Sequence, residues 1–446
     1  MADRGAGGGR LTHPLLSLLL TFFVGLSLLL GAALLEGGPF PVGRLQAALA
    51  ACAALAVLCL AALLWRSRPR LRRAVLYLCL CLIGAEVVLQ LLSAAALLPP
   101  VNLQLNTPYG RVYWHGEGSN HTVMNRYGWH SARVAYSPGA HKIALVGDSF
   151  LEGLQVAPEH NVGAVLERLL SRGTAPGSVA QEVISFGRSA TGPAHYLQII
   201  KYALAHDAPD DIFLFLFLGN DLYDNYYMAP DPGFPSYHRM LLYHLTPAKE
   251  VALHPRSPLD PDSYLRRLNY NHRLTALTTA RTLISHSMMV GLVGAAYHLT
   301  LPQPAAHPPP AKIVFPVPLM ASGDRLRVVQ VMLERIHRTV QAAGKKLRLV
   351  VIPHLPPHLL EHAFKSRTTL TASGMLAGEQ YLSAMAGRMG LPLLPLGKTM
   401  ERLSKERIQA LFIGGFGHFT EEGHAFVARA IQDKYYPHQR PEPGSK

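Results

Sequence analysis

The sequence predicts an α/β domain with a mostly parallel sheet, preceded by three transmembrane helices. Two observations carry that expectation. Three long apolar runs fill the first hundred residues, and beyond them short apolar runs alternate with segments of helical spacing. The 446-residue chain has only 16% charged residues against 49% hydrophobic ones. An ordinary soluble domain carries about 25% charged residues and a disordered chain more, so disorder is excluded first.

The apolar runs cover residues 15–35, 45–65 and 74–98. Each is long enough to cross about 30 Å of hydrocarbon at 1.5 Å per residue. The first exceeds the apolar core of a signal peptide and is followed by two more, so it is read as a span. Arg66, Arg68, Arg70, Arg72 and Arg73 fill the link between the second and third runs, whereas the first link offers Glu36 and Arg44. Positive loops stay in the cytoplasm, which places the N-terminus inside and everything after Pro99 outside. The expected division is a membrane anchor over 1–100 and an extracytoplasmic domain over 101–446. Glu86, inside the third run, is costly in hydrocarbon and marks either a paired helix or a contact with a membrane acyl-donor partner.

Formal charge is +14 overall and +5 in the first hundred residues, leaving +9 on the external part. Such a surface suits lipid head groups or acidic polysaccharide, or simply keeps the domain in solution; nucleic acid is not expected outside the membrane. Cys52, Cys59, Cys79 and Cys81 all fall in the spans, so the domain has no thiol chemistry of its own.

Within the domain, residues 142–146 (KIALV), 181–186, 212–218 (IFLFLFL) and 347–352 read as buried strands. Helical spacing covers 162–170, 199–205, 324–343 and 421–432. Residues 226–322 read as an insertion with a helical middle near 264–298 and a proline-rich exit. Parallel sheets bind ligands at the carboxyl ends of their strands. Gly147-Asp148-Ser149, Phe186-Gly187 and Gly219-Asn220-Asp221 all fall at such ends.

A serine at a strand-to-helix turn is exposed for attack on an acyl carbon, with backbone N–H groups pointing at the same place. Gly187 lets backbone approach a substrate, Asn220 adds a side-chain donor, and His418 before the last helix is the candidate base. Four blocks stand in order: Val146-Gly-Asp-Ser-Phe-Leu-Glu-Gly153, Ile184-Ser-Phe-Gly187, Leu218-Gly-Asn-Asp-Leu-Tyr-Asp-Asn225 and Gly417-His-Phe-Thr-Glu-Glu-Gly-His424. Together they resemble the SGNH (GDSL-like) hydrolase superfamily, and Met124-Asn-Arg-Tyr-Gly128 resembles the lead-in of its membrane-anchored members. The resemblance runs over about 100–434 except 226–322.

It implies a three-layer SGNH-like fold with Ser149 as nucleophile, His418 as general base, and Ser149, Gly187 and Asn220 as oxyanion-hole donors. It further implies ester hydrolysis or acyl transfer through an acyl-serine, without metal or organic cofactor, on acylated surface glycans or lipids. One position departs. The family's acid two or three residues before the histidine is replaced by Phe416 and Gly415. Losing a triad acid can cost about 10⁴ in rate. Asp221, Asp224, Glu421 and Glu422 are candidate substitutes, and the contrasting expectation is a catalytically lost domain kept as a glycan-binding or assembly subunit.

Other patterns weigh less. His358-Leu-Leu-Glu361-His362 matches an inverted zinc-protease motif but follows prolines and lacks an evident third ligand. His424 competes with His418 as base but falls inside the last helix. Asn120-His-Thr122 is a glycosylation sequon, and Tyr223, Tyr226 and Tyr227 can stack on sugar rings or form an apolar rim.

Overall fold

The computed structural model describes residues 77, 81, 83–89, 103–104, 111–116, 118–172, 178–222, 224–226, 241–272, 323–355, 357–366, 370, 376–415 and 417–439. The chain divides into two compact units, residues 1–99 and 100–446. The predicted spans 15–35 and 45–65 lie outside the described residues, as does most of 74–98. The described part of that third run is helical, and Tyr77, Ile83, Val87 and Val88 expose apolar side chains on it. No described helix is long and apolar enough to cross a membrane.

The second unit is built on a five-stranded parallel sheet in the order β10-β9-β6-β4-β5. Its strands are β4 (His141–Gly147), β5 (Gln181–Gly187), β6 (Asp211–Phe217), β9 (Lys346–Ile352) and β10 (Leu393–Pro395). Ahead of them, β1 (Leu103–Gln104), β2 (Arg111–Gly116) and β3 (Gly118–Val123) form a small antiparallel sheet.

Successive strand residues face opposite sides, so each central strand feeds two cores. Ala144, Val146, Ile212, Leu214, Leu349 and Val351 pack against α3 (Pro193–His206), α5 (Gly323–Ala342) and α7 (Ala377–Arg388). Ile143, Leu145, Phe213, Phe215, Val350 and Ile352 pack against α2 (Val162–Arg172) and α10 (Glu421–Tyr435), with α6 (Pro357–Lys365), α8 (Leu396–Met400) and α9 (Lys405–Ala410) on the same face. Three layers result. α5 shows why it belongs there: Val328, Met332, Ile336 and Val340 recur every turn or so and are all buried. Each fully buried aliphatic side chain contributes about 1.5–3 kcal/mol by leaving water.

All four strands read from the sequence lie in this sheet, and the four helical segments lie in α2, α3, α5 and α10. Residues 241–272, inside the expected insertion, form a hairpin of β7 (Tyr243–Leu245) and β8 (Val251–Leu253) followed by α4 (Pro261–His272). Leu241, Tyr243, Tyr264 and Leu268 join the α3/α5 core, so this stretch is part of the packed domain. The rest of the expected helical middle lies outside the described residues.

The amino ends of the strands are tied by Asp211. Tyr436 donates its O–H to Asp211 Oδ2 at 2.9 Å, His141 Nε2 lies 3.0 Å from the same oxygen, and Arg348 pairs with Oδ1 at 2.7 Å. Burial alone would raise this carboxyl; His141, Arg348 and Tyr436 outweigh it and hold it at about 2. A depressed carboxyl stabilises the fold above its unfolded value and loses that contribution as pH falls through the folded one. Asp211→Asn is therefore expected to lower the melting temperature by several degrees at neutral pH. The gap to wild type should close between about pH 4 and pH 2, as thermal melts across pH will read.

Candidate active site

β4 ends at Gly147, and α1 (Ser149–Glu152) begins two residues later. Asp148 makes the transition, its Oδ1 accepting from Phe150 N at 3.0 Å as an N-cap. The helix lasts four residues and stops at Gly153, whose φ of 60° is the left-handed conformation glycine adopts without strain. Ser149 thus stands at the carboxyl end of a central strand. His418 Nε2 lies 2.8 Å from Ser149 Oγ, although 269 residues separate them.

His418 is held on several sides. Its carbonyl accepts from Ile413 N at 2.8 Å, and its ring lies 4.8 Å from that of Phe150 at 36°. Thr420 caps α10 by accepting from Gly423 N, which sets where the chain enters the helix. Of the two candidate histidines, it is therefore the one before the helix that meets Ser149. His424, within α10, is fully buried against Gly153 and Phe419, and neither ring nitrogen has a hydrogen-bond partner. Burial lowers its pKa to about 3.

The parallel register brings the other two predicted residues to the same end. Gly187 pairs with Gly147 across β5 and β4, and Asn220 follows β6, the neighbour of β4 on the other side. A Cβ on Gly187 would sit 2.2 Å from Glu152 N and 2.5 Å from Leu151 C, so only glycine lets α1 lie against β5. Beyond Gly187, the buried Glu152 accepts from Ser189 N at 2.7 Å and also from Ser189 Oγ. Asn220 Nδ2 donates to Asp224 Oδ2 at 2.8 Å, and Asn220 Oδ1 is buried without a partner.

Several supporting residues carry no signal in the sequence. A four-residue helix leaves its last carbonyls to be satisfied by side chains. Asn161 Nδ2 donates to Leu151 O at 2.8 Å and Glu152 O at 3.2 Å, while His130 Nδ1 lies 2.6 Å from Glu152 O. Burial lowers His130 to about 4, so the ring is neutral: Nδ1–H donates to that carbonyl and Nε2 accepts from Thr122 Oγ1 at 3.0 Å. Asn120 Nδ2 donates to Leu154 O at 2.9 Å and Val156 O at 2.7 Å. The sequon amide is thus engaged inside the fold. Asn161 is legible only as an N-cap, since its Oδ1 also accepts from Gly163 N.

The four candidate acids have bonds elsewhere. Asp221 accepts from Tyr196 O–H and Phe217 N, both at 2.8 Å, and Asp224 from Asn220; Glu421 pairs with His160 at 2.5 Å and Glu422 with Arg407 at 2.6 Å. Gly415 is described and Phe416 is not. Burial pushes Asp148 up to about 6, with the Phe150 N–H, His418 and the Asn220 side chain opposing, and burial together with neighbouring carboxyls holds Asp221 and Asp224 well above the usual range. Glu361 of the His358/His362 motif pairs with Lys365 and Lys405, and no group of three metal-ligating side chains occurs among the described residues. Tyr226 bridges to Tyr243; Tyr223 and Tyr227 lie outside the described residues.

Because the Gly187 contact is backbone against backbone, side-chain rotation cannot relieve it. Gly187→Ala is expected to lower the melting temperature by several degrees, whereas Gly139→Ala, with open space around its Cβ, tests only the cost of a positive φ. Thermal melts of both variants separate close packing from conformational strain.

No protein-family model matches the chain, and no curated protein matches it. Among solved structures, the chain is similar to the crystal structure of TesA at 14% identity and a TM-score of 0.34, over 66% of this chain and 98% of that one. It is also similar to the lipase/acylhydrolase from Enterococcus faecalis at 13% identity and a TM-score of 0.30, over 66% of this chain and 96% of the other. A third likeness is to a protein from Desulfitobacterium hafniense DCB-2 proposed to be a lipolytic member of the G-D-S-L family, at 10% identity and a TM-score of 0.31, over 65% and 99% of the two chains.

Proposed function

We propose that this chain is a membrane-anchored serine esterase or O-acyltransferase that acts on acyl, foremost acetyl, esters of cell-surface glycans or lipids. The observation that carries the reading is the 2.8 Å approach of His418 Nε2 to Ser149 Oγ at the carboxyl end of β4. A neutral imidazole with its proton on Nδ1 accepts the serine proton at Nε2. Ser149 Oγ then bonds to the acyl carbon as the π electrons of the carbonyl move onto its oxygen. That oxyanion is assigned to Ser149 N–H, Gly187 N–H and Asn220 Nδ2, each such donor being worth about 3–4 kcal/mol in the transition state.

Collapse of the intermediate breaks the bond to the leaving oxygen, which takes the proton from His418. The acyl-serine passes its acyl group to water, giving hydrolysis, or to a sugar hydroxyl, giving transfer; His418 accepts the acceptor's proton and Ser149 Oγ recovers it. These steps call on no metal or organic cofactor. The three apolar runs and the arginine link between the last two support a membrane anchor with the domain on the outer side, where acylated glycans and lipids are met. Glu86 supports a membrane acyl-donor partner for the transfer reaction.

The contrasting reading, a binding or assembly subunit with a decayed site, draws on Gly415 and Phe416 at the positions of the family's acid. Fluorophosphonate labelling of the full-length chain separates the two. The expected result is one covalent adduct that Ser149→Ala abolishes and His418→Ala slows about 10³-fold or more. A folded chain that does not label, or that labels equally in Ser149→Ala, would sink the enzyme reading.

A further inference from the structure

Among the described residues, the buried Asp224 carboxyl accepts a side-chain hydrogen bond from Asn220 alone. Removing a carboxyl from water costs several kcal/mol unless hydrogen bonds replace the lost hydration. Its neighbour Asp221 is used as such groups commonly are, fastening a backbone N–H (Phe217) and a tyrosine hydroxyl (Tyr196). Asp224 is 6% exposed, and its carboxyl accepts from Asn220 Nδ2 at 2.8 Å.

The backbone prepares that contact. Asp224 N donates to Asn220 O at 3.0 Å, closing one helical turn that stacks the two side chains. The turn is anchored to α3 through the next residue: Asn225 Oδ1 accepts from Ala194 N at 2.7 Å and Asn225 Nδ2 donates to Leu241 O at 2.8 Å. Gly192 completes the seat, since a Cβ there would come 3.1 Å from Asp224 Cβ. The carboxyl is therefore delivered to the amide by a fixed turn.

An asparagine amide has two ends of similar shape and opposite chemistry, and a half-turn about χ2 exchanges them. Asn220 Oδ1 has no partner among the described residues, whereas the carboxyls of Asp224 and Asp148 both lie by this amide, so its contacts with them decide which end faces which way. We infer that Asp224 is a positioning residue for acyl transfer: by accepting one N–H of Asn220 Nδ2 it holds the nitrogen end of the amide in the site, so that the second N–H, beside the Asp148 carboxyl, is the one offered to the oxyanion. Without it, the carbonyl end can turn toward the oxyanion and repel it. This rests on the acyl-serine reading above and assigns a role to a residue outside its catalytic set.

The test is a double-mutant cycle on the full-length chain, read by steady-state hydrolysis of p-nitrophenyl acetate beside fluorophosphonate labelling. Asn220→Ala is expected to lower kcat about 10²–10³-fold. Asp224→Ala should lower kcat roughly tenfold or more with KM changed by less than about twofold. The double variant should fall no further than Asn220→Ala alone, because Asp224 acts only through that amide. Asp224→Asn, of the same shape and still able to accept, should lie between wild type and Asp224→Ala, and it keeps the result independent of any folding defect in the alanine variant. Wild-type kcat in Asp224→Ala, or losses that multiply in the double variant, would overturn the inference while serine labelling of the wild type still stands. Failure of the wild type to label would overturn the acyl-serine reading, and this inference with it.

Discussion

The backbone of α1 lies directly on Gly187, and the arrangement of the site depends on that contact. With no side chain between them, the end of β5 and the turn bearing Ser149 come within van der Waals reach, as a Cβ 2.2 Å from Glu152 N makes plain. The turn is short. It stops at Gly153 after four residues and leaves carbonyls pointing into the protein. Asn161 and His130 turn their polar side chains toward those carbonyls, and Asn120 holds the carbonyls of Leu154 and Val156 just beyond them. One close packing decision thus recruits a shell of side chains whose effect is to hold Ser149 still.

The two ends of the sheet treat charge in opposite ways. At the amino ends, Asp211 is surrounded by His141, Arg348 and Tyr436 and stays ionised to low pH. Its position reads as stability. At the carboxyl ends, Asp148, Asp221 and Asp224 gather near Asn220, where burial disfavours the charged form of each and neighbouring carboxyls add to the effect at Asp221 and Asp224. Groups so perturbed cluster where chemistry is done. The polarity of a parallel sheet makes this division possible, since loops gathered at one end can be specialised without disturbing the packed layers between.

Much of the architecture was legible before the structure. The strands β4, β5, β6 and β9 are continuous apolar runs because both faces are covered, and α2, α3, α5 and α10 show apolar spacing because one face is. β10 was not legible: three residues are too few for a period to appear. Nor was the hairpin of residues 243–253, whose strands are equally short and which joins the core through Tyr243 and Val251. Asn120 was legible only as part of a glycosylation sequon, whereas its amide is bonded to two carbonyls more than thirty residues ahead.

Within the site, the chain order of Ser149, Gly187, Asn220 and His418 could be read from four short blocks, because each residue is tied to a local event: a strand ending or a helix beginning. Which of two histidines six residues apart reaches Ser149, and which is buried with both nitrogens unpartnered, depended on where α10 starts and on how it docks beside α2. The same holds for Asp224. Its bond to Asn220 is local, but its burial and its anchoring come from α3 and from Gly192. Hydrophobic periodicity is written residue by residue along the chain. Hydrogen-bond partnership is decided only when distant segments share a register, and no local pattern carries that information.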